Sequence, residues 1–550
     1  MTPDQLSQAI LTAAAAALDD LGGDARRLPA TAGLDRPRNP QHGDYASNLA
    51  LQYAGAAGVT PRDLATATAA RLAVDPAIRD VQVAGPGFLN ITLSAAAMGS
   101  LAGTIVGLDE AYGRGAALAG QRLNLEFVSA NPTGPVTLAS ARWAAVGDSL
   151  ARLLTAQGAA VTTEYYFNDA GTQIHNFARS LLAAARREPV PDNGYAGAYI
   201  ADIAAAITAH DPGAAGRADA LETFRAEGVA QMFDEIQTSL AEFGVHFDVY
   251  FSERDLHDRG ELASALAMLA DRGYLYEADG ATWVRTTAFG DDKDRVVRRS
   301  DGSYAYFAAD CAYYLDKRAR GFDKVMIVLG ADHHGYVGRM RAVAACFGDD
   351  PGQTLEILIG QFVRLLSGGQ AVRMSKRAGQ VITLGDLVSA IGADAARYAL
   401  ARYSMDSAID IDLDLWARRS SDNPVFYVQY AHARICSLLR AATTAGVAKG
   451  DGYDPALLSH EQESDVLRLL GEFPEVVASA AELRQPHRVA RYLEQLAGTY
   501  HRFYDARRVL PLDGEPGPGV TAARLWLAEA TAIVLRNGLY LLGVTAPARM

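Results

Sequence analysis

Apolar and polar residues alternate over 123–128, which predicts a short sheet strand. The Asn131-Pro-Thr-Gly-Pro135 stretch that follows can extend neither a strand nor a helix, so the chain must turn there. From Leu138 the spacing changes: Leu138, Val146, Leu150, Leu153 and Leu154, with alanines between them, recur at helical intervals as far as Gly158, a residue suited to ending a helix. Residues 161–167 and 325–330 read as further strands, each delivering polar residues at its end, and the apolar run 355–366 reads as a buried strand closed by Ser367-Gly-Gly369. A strand that feeds a helix through a Gly/Pro turn offers free backbone N–H groups and a positive dipole end, which suits a triphosphate. An ordinary strand-to-helix turn has the same shape.

Pattern shifts divide the chain. Residues 1 to about 110 open on the amphipathic stripe Leu6, Ile10, Ala14 and Leu18 and close on a Gly-Pro-Gly turn with a strand after it, an α+β unit. Residues 111–395 read as a Rossmann-type α/β domain on a parallel sheet, interrupted at about 178–298 by a mixed insertion. From 396 to 550 strand signals fade and Ala, Leu and Arg recur with helical period, an all-helical bundle.

Composition adds limits. A chain of 550 residues, 49% hydrophobic, can bury several cores, and a mean hydropathy near zero with no long apolar run argues against a membrane span. Asp4 and the absence of a basic leading segment argue against a signal peptide. Three scattered cysteines, Cys311, Cys346 and Cys436, form neither a disulfide framework nor a zinc knuckle, so a cytoplasmic protein is expected. The net charge of −13 disfavours nucleic acid as a partner of the whole surface; a local patch would have to carry it. Arg418, Arg434, Arg440, Arg484, Arg491 and Arg508 gather in the last third, where such a patch, or only a solvated bundle face, would lie.

The chemistry-bearing segments resemble those of class I arginyl-tRNA synthetases, in family order and over essentially the whole chain. Glu126 to Asp148 is similar to the ATP-binding segment, with Thr137, Leu138, Ala139 and Ser140 standing where the family has His-x-Gly-His. Val372-Arg-Met-Ser-Lys-Arg-Ala-Gly379 resembles the Lys-Met-Ser-Lys loop, with Arg373 at its first position. The resemblance implies Lys376, Ser375 and Arg373 as catalytic groups, the cations neutralising charge that builds on pyrophosphate. It implies ATP contacts from Gly134, Pro135, Thr137, Ala139, Ser140 and Met374. For arginine it implies Glu126, Ser129 and Asn131 at the ammonium and carboxylate, Tyr306 and Asp310 at the guanidinium, and Asp332 and His333 beside them. A guanidinium fork fits carboxylates in just this way. Asp332-His-His334 is also a metal-ligand pattern, but no partner ligand motif accompanies it, and no protein metal site is expected.

The first 110 residues resemble the family's tRNA-contacting domain, with Asn48 as a contact, although Gly43-Asp-Tyr-Ala-Ser-Asn48 equally suits a capped helix start. Asn423 to Arg434 resembles the anticodon-binding module, and Tyr427, Gln429, Tyr430, His432 and Arg434 are the implied contacts; an aromatic stripe can also be core. The implied reaction joins L-arginine to tRNA(Arg) through arginyl-adenylate, using ATP with Mg2+, in a monomer. The altered signature leaves two alternatives: a catalytically impaired paralogue that senses tRNA or arginine, and a specialised duplicate that resists an inhibitor or serves another pathway.

Overall fold

The structure, a computed structural model, describes residues 1–37, 39–169, 171–372, 382–512 and 515–550. Strands β1 (Tyr45–Ser47), β2 (Ile78–Ala84) and β3 (Phe88–Leu93) form an antiparallel sheet of order β1-β3-β2. Helix α1 (Pro3–Leu21) buries Leu6, Ile10, Ala14 and Leu18, and a reciprocal Thr2–Gln5 capping box fixes its start. Helices α2 (Leu49–Ala57) and α3 (Pro61–Leu72) complete this layer. Helix α4 (Ala95–Leu108) leaves it and lies against the C-terminal half, where the Tyr453 hydroxyl donates to the Gly99 carbonyl and accepts from the Gly103 N–H at 2.9 Å. The approach is close enough to require glycine: a Cβ at Gly99 would sit 2.2 Å from the Pro455 carbonyl oxygen.

Five parallel strands, β4 (Arg122–Glu126), β5 (Ala160–Phe167), β6 (Val249–Ser252), β10 (Lys324–Gly330) and β11 (Leu355–Gly360), make the central sheet in the order β11-β10-β4-β5-β6. Helix α5 (Leu138–Ala156) carries the chain from β4 to β5. From β4 the chain steps outward through β5 to β6, then returns to build β10 and β11 on β4's other side. A crevice therefore opens at the carboxyl ends of β4 and β10, where the winding reverses.

Between β5 and β10 lie α6 (Gly171–Arg186), α7 (Ala198–His210), α8 (Ala220–Glu242), α9 (Glu253–Asp258) and α10 (Glu261–Asp271), then an antiparallel sheet of β7 (Leu275–Ala278), β8 (Ala281–Val284) and β9 (Arg295–Arg298), and finally α11 (Tyr306–Ala319). The expected insertion at 178–298 is thus not all peripheral, because β6 supplies the edge of the central sheet. Four residues are too few for a strand period to stand out. The run 355–366 likewise divides. Its first half is β11, while the second enters β12 (Val363–Ser367), which pairs with β13 (Gln370–Ala371) across Gly368 and Gly369, both at positive φ, and with β14 (Ile409–Asp412). The run is also not wholly buried, since Phe362 between the two strands is 54% exposed; an apolar run does not mark where a chain changes sheets.

Helices α12 (Tyr336–Cys346), α13 (Pro351–Thr354), α14 (Leu384–Ile391), α15 (Ala393–Ala401) and α16 (Leu413–Trp416) lead to the bundle of α17 (Pro424–Thr444), α18 (Glu461–Glu482), α19 (His487–Ala506) and α20 (Pro518–Leu541). Two buried arginines bind α5 to these later segments. Arg142 donates to the carbonyls of Gln361, Ser404 (2.9 Å) and Ser407 (3.0 Å), and burial lowers its guanidinium to about 10. Arg397 donates to the carbonyls of Phe243 (2.9 Å) and Leu542 (3.2 Å) and pairs with Asp148 of α5. No helix among the described residues is long and apolar enough to cross a membrane.

Candidate functional site

At the carboxyl end of β4 the backbone turns back on itself through two left-handed non-glycine residues, Val128 (φ 70°) and Ser129 (φ 40°). A β-branched residue in that region is strained and persists only where its surroundings hold it. Here the hold is a chain of hydrogen bonds: the Tyr166 N–H donates to Ser129 Oγ at 3.1 Å, and Ser129 donates to Glu126 Oε1 at 2.9 Å. Ahead of the strain, Phe127 is buried against Gly147 of α5, where a Cβ would lie 2.3 Å from its ring.

The crevice at the strand ends holds a cavity of about 430 Å3, lined by Glu126 and Ser129 from the β4 turn, Ala139 and Ser140 from α5, and Asp310 from α11, with Asp332 and His333 at the end of β10. Trp143 forms one wall, and Gly360 makes room for it, since a Cβ there would lie 2.0 Å from the indole. Asp310 accepts from the Tyr336 hydroxyl at 2.9 Å; burial pushes its carboxyl up to about 6 against the opposing pull of that bond. Asp332 and His333 are largely exposed and face each other at 3.5 Å. They stand at the rim.

Tyr306, one turn before Asp310, does not share the cavity. The residue is 67% exposed, borders a neighbouring depression with Asn168 and Glu253, and its ring lies under Arg299 at 6.0 Å. Helical spacing aligned the two residues along α11, but the cavity reaches only the inner one. Asn131 is outside the lining too, bonding Gln173 at 2.7 Å and accepting from the Asn168 N–H.

Thr137 is the N-cap of α5. Its Oγ1 accepts from the Ser140 N–H and its hydroxyl faces Ser140 Oγ at 3.2 Å, so the side chain serves the helix end rather than the cavity. Gly134 and Pro135 lie outside the lining, with Gly134 backed by the Tyr199 ring. Arg373, Met374, Ser375 and Lys376 fall outside the described residues. The chain that follows them pairs directly with the start of α5: the Leu138 N–H donates to the Ile382 carbonyl at 3.1 Å and the Leu384 N–H to the Val136 carbonyl at 2.8 Å.

Sequence reasoning missed the groups beneath Glu126. Lys317, 1% exposed, comes from α11 and donates to Asn124 Oδ1 at 2.8 Å and to Glu126 Oε2. Glu164 of β5 accepts from Asn124, Tyr313 and Arg320; burial alone would raise its carboxyl, but Lys317 and Arg320 hold it at about 2. The available signal was a lysine two helical turns after Asp310, on the same face of α11.

In the bundle, two implied contacts are structural. Gln429 is buried and donates to Asp394 (2.7 Å) and to the Thr545 carbonyl (2.9 Å), and His432 is buried with Nδ1 at 3.0 Å from the Pro547 carbonyl. Both tie down the C-terminal tail. Burial also lowers the His432 imidazole below its usual value. Tyr430 is 43% exposed, stacked on Phe426 and on His501; Tyr427 also meets His501, and Arg434 lies over Tyr504 at 3.9 Å. These rings and the guanidinium make a mixed aromatic and cationic face. Asn48 precedes α2 without capping it through its side chain.

The chain matches three family models: arginyl tRNA synthetase N terminal domain over residues 4–93, tRNA synthetases class I (R), catalytic domain, over 219–407, and DALR anticodon binding domain over 428–550. It is 59% identical over 555 residues to an arginine–tRNA ligase of Kineococcus radiotolerans and 57% identical over 553 residues to one of Frankia alni, each match covering 100% of both chains. Among solved structures, Thermus thermophilus arginyl-tRNA synthetase superposes with a TM-score of 0.76 at 22% identity over 100% of both chains, a likeness of fold.

Proposed function

The chain belongs to the arginyl-tRNA synthetase family, and we infer from the geometry and the relatives together that it is an arginine–tRNA ligase. The observation that carries this reading is the cavity at the winding reversal, where Glu126 and Asp310 approach from different elements beside the start of α5. A ligand with two separated cationic groups meets a carboxylate for each, and an uncharged analogue would leave the buried acids without partners, a strong basis for rejection.

In our assignment Glu126, held by Ser129, takes the α-ammonium, and Asp310, held by Tyr336, takes the guanidinium. The arginine carboxylate then attacks the α-phosphorus of ATP; the new bond is C–O–P, and pyrophosphate leaves with the electron pair of the broken P–O bond. Attack of a tRNA ribose hydroxyl on the acyl carbon releases AMP. Positioning and charge stabilisation do this work, with no covalent enzyme intermediate. ATP with Mg2+ is the co-substrate that the class I fold implies, and the metal is taken to travel on the phosphates. Arg373 and Lys376 are proposed for the pyrophosphate, Ala139 and Ser140 for the nucleotide wall, and the face of Tyr427, Tyr430, His501 and Arg434 for tRNA bases. Every group invoked comes from one copy, so a monomer suffices.

The test is arginylation of tRNA(Arg) with ATP, Mg2+ and labelled arginine by the full chain, beside Lys376→Ala. Product from the parent and a loss of about 10²-fold or more in the variant are expected. Tight tRNA binding with no product would favour the impaired paralogue that the Thr137-to-Ser140 segment brings to mind.

Asp310 adds a pH dependence. Its carboxyl is protonated below about pH 6 in the free protein, so arginine must displace a proton to bind there. The KM for arginine is expected to climb about tenfold per pH unit below that point and to level off above it. A flat profile across pH 6 would remove Asp310 from the guanidinium site.

A further inference from the structure

Parallel register sets Glu126 beside Glu164, and adjacent strands project partnered side chains to the same face of a sheet. Asn124, two residues earlier on β4, shares that face. Two buried carboxylates side by side are unfavourable without cations, and α11 supplies two. Arg320 serves Glu164 with both of its terminal nitrogens, at 2.6 and 3.0 Å. Lys317 sits between the acids yet leans to one of them: it bonds Glu126 directly and lies 3.4 Å from Glu164, its ammonium also 4.4 Å from the centre of the Tyr313 ring.

We propose that Lys317 is the positioning residue for the α-ammonium of the amino acid, fixing one oxygen of the Glu126 carboxylate while Ser129 fixes the other. This rests on the reading that the cavity takes arginine. A carboxylate offers about four acceptor directions; Lys317 and Ser129 use two, and those remaining serve a ligand in the cavity that Glu126 lines. Without Lys317 the two acids would have Arg320 alone, already committed to Glu164. Glu126 would then lose the contact that fixes one of its oxygens, and its charge would stand uncompensated beside Glu164, so the carboxylate would no longer be held toward the ligand.

The experiment uses the full-length chain with Lys317→Met, and with Lys317→Gln should the first not fold, measuring KM and kcat for all three substrates from about pH 6.5 to about pH 9. The neighbouring groups leave that window clear. Tyr166, Tyr313 and Tyr336 stay protonated because burial, reinforced by nearby carboxylates, raises each, and Asp316 is paired with Arg320. Asp310, with Glu253 nearby, titrates in parent and variant alike, so the ratio of the two KM values isolates the lysine. The expected result is an arginine KM raised about tenfold or more relative to the parent at every pH in the window, with the KM values for ATP and tRNA within about twofold of the parent. Adding Glu164→Gln, which removes the competing charge, should restore most of the arginine affinity. A folded variant whose arginine KM is unchanged at every pH, or whose three KM values rise together, would overturn the assignment. A parent that shows no saturation by arginine would overturn the functional reading beneath it.

Discussion

Replacing Asp310 with Asn is expected to lower kcat/KM for arginine by about 10³-fold while leaving the protein more stable at neutral pH. The first effect follows from removing the ionised partner proposed for the guanidinium, where a charge-assisted fork of hydrogen bonds would be replaced by a single neutral acceptor and a mismatched donor. The second follows from the direction of the pKa shift. Burial raises the Asp310 carboxyl to about 6, above its value in the unfolded chain, so ionisation opposes folding. That penalty is absent below the unfolded pKa of about 4 and complete above about pH 6, so the Asn variant should gain thermal stability only as the pH rises through that window. Steady-state kinetics with arginine as the varied substrate, and melting curves at about pH 4 and about pH 7.5, read both effects. An Asn variant that keeps its arginine kcat/KM would remove the acid from recognition; one that melts lower at neutral pH would show that the Tyr336 bond outweighs burial.

The second large effect concerns the start of α5. Installing Thr137→His, Ala139→Gly and Ser140→His together is expected to raise kcat/KM for ATP by about 10²-fold, the scale of one restored preorganised donor. Thr137 spends its hydroxyl on the Ser140 N–H, Ala139 puts a methyl on the cavity wall, and of these three positions Ser140 keeps a hydroxyl there. The exchange should also cost about 1 kcal/mol through the lost N-cap, seen as a lower melting temperature without ligand. Faster turnover with a lower melting point would mark a segment in which helix capping has displaced phosphate contact. Unchanged ATP kinetics would mean that backbone donors at this turn already hold the triphosphate.

The strand-turn-helix at 123–156 was legible in the sequence because its period changes at a Pro/Gly turn, and the three-part organisation followed from where strand periodicity begins and fades. The edge strand β6 was not, being too short to show a period, and neither was the break between β11 and β12, because an apolar run reads the same in either sheet. At the site, Glu126 and Asp310 were singled out through the family resemblance, and both line the cavity. Side-chain direction was not legible: Tyr306 and Asp310 sit one turn apart, yet only the acid reaches the cavity, and Gln429 and His432 turn to the C-terminal tail while Tyr430 on the same helix faces solvent. Lys317 escaped notice because a lysine late in a helix reads as a solvated end, and only the register of β4 with β5 reveals the two acids it answers.

The clasp of α4 by Tyr453 and Pro455 sets the order in which this chain can mature. The ribosome completes α4 with Met98, Leu101, Ala102 and Ile105 bound for burial, while the tyrosine that receives Gly103 lies 350 residues further on. At about 5–20 residues per second, that face waits roughly 20–70 s for its partner. Through that interval the nascent chain carries an apolar strip that its own N-terminal layer leaves uncovered, and closure of the two ends is a late, long-range event with the slow kinetics that such contacts impose.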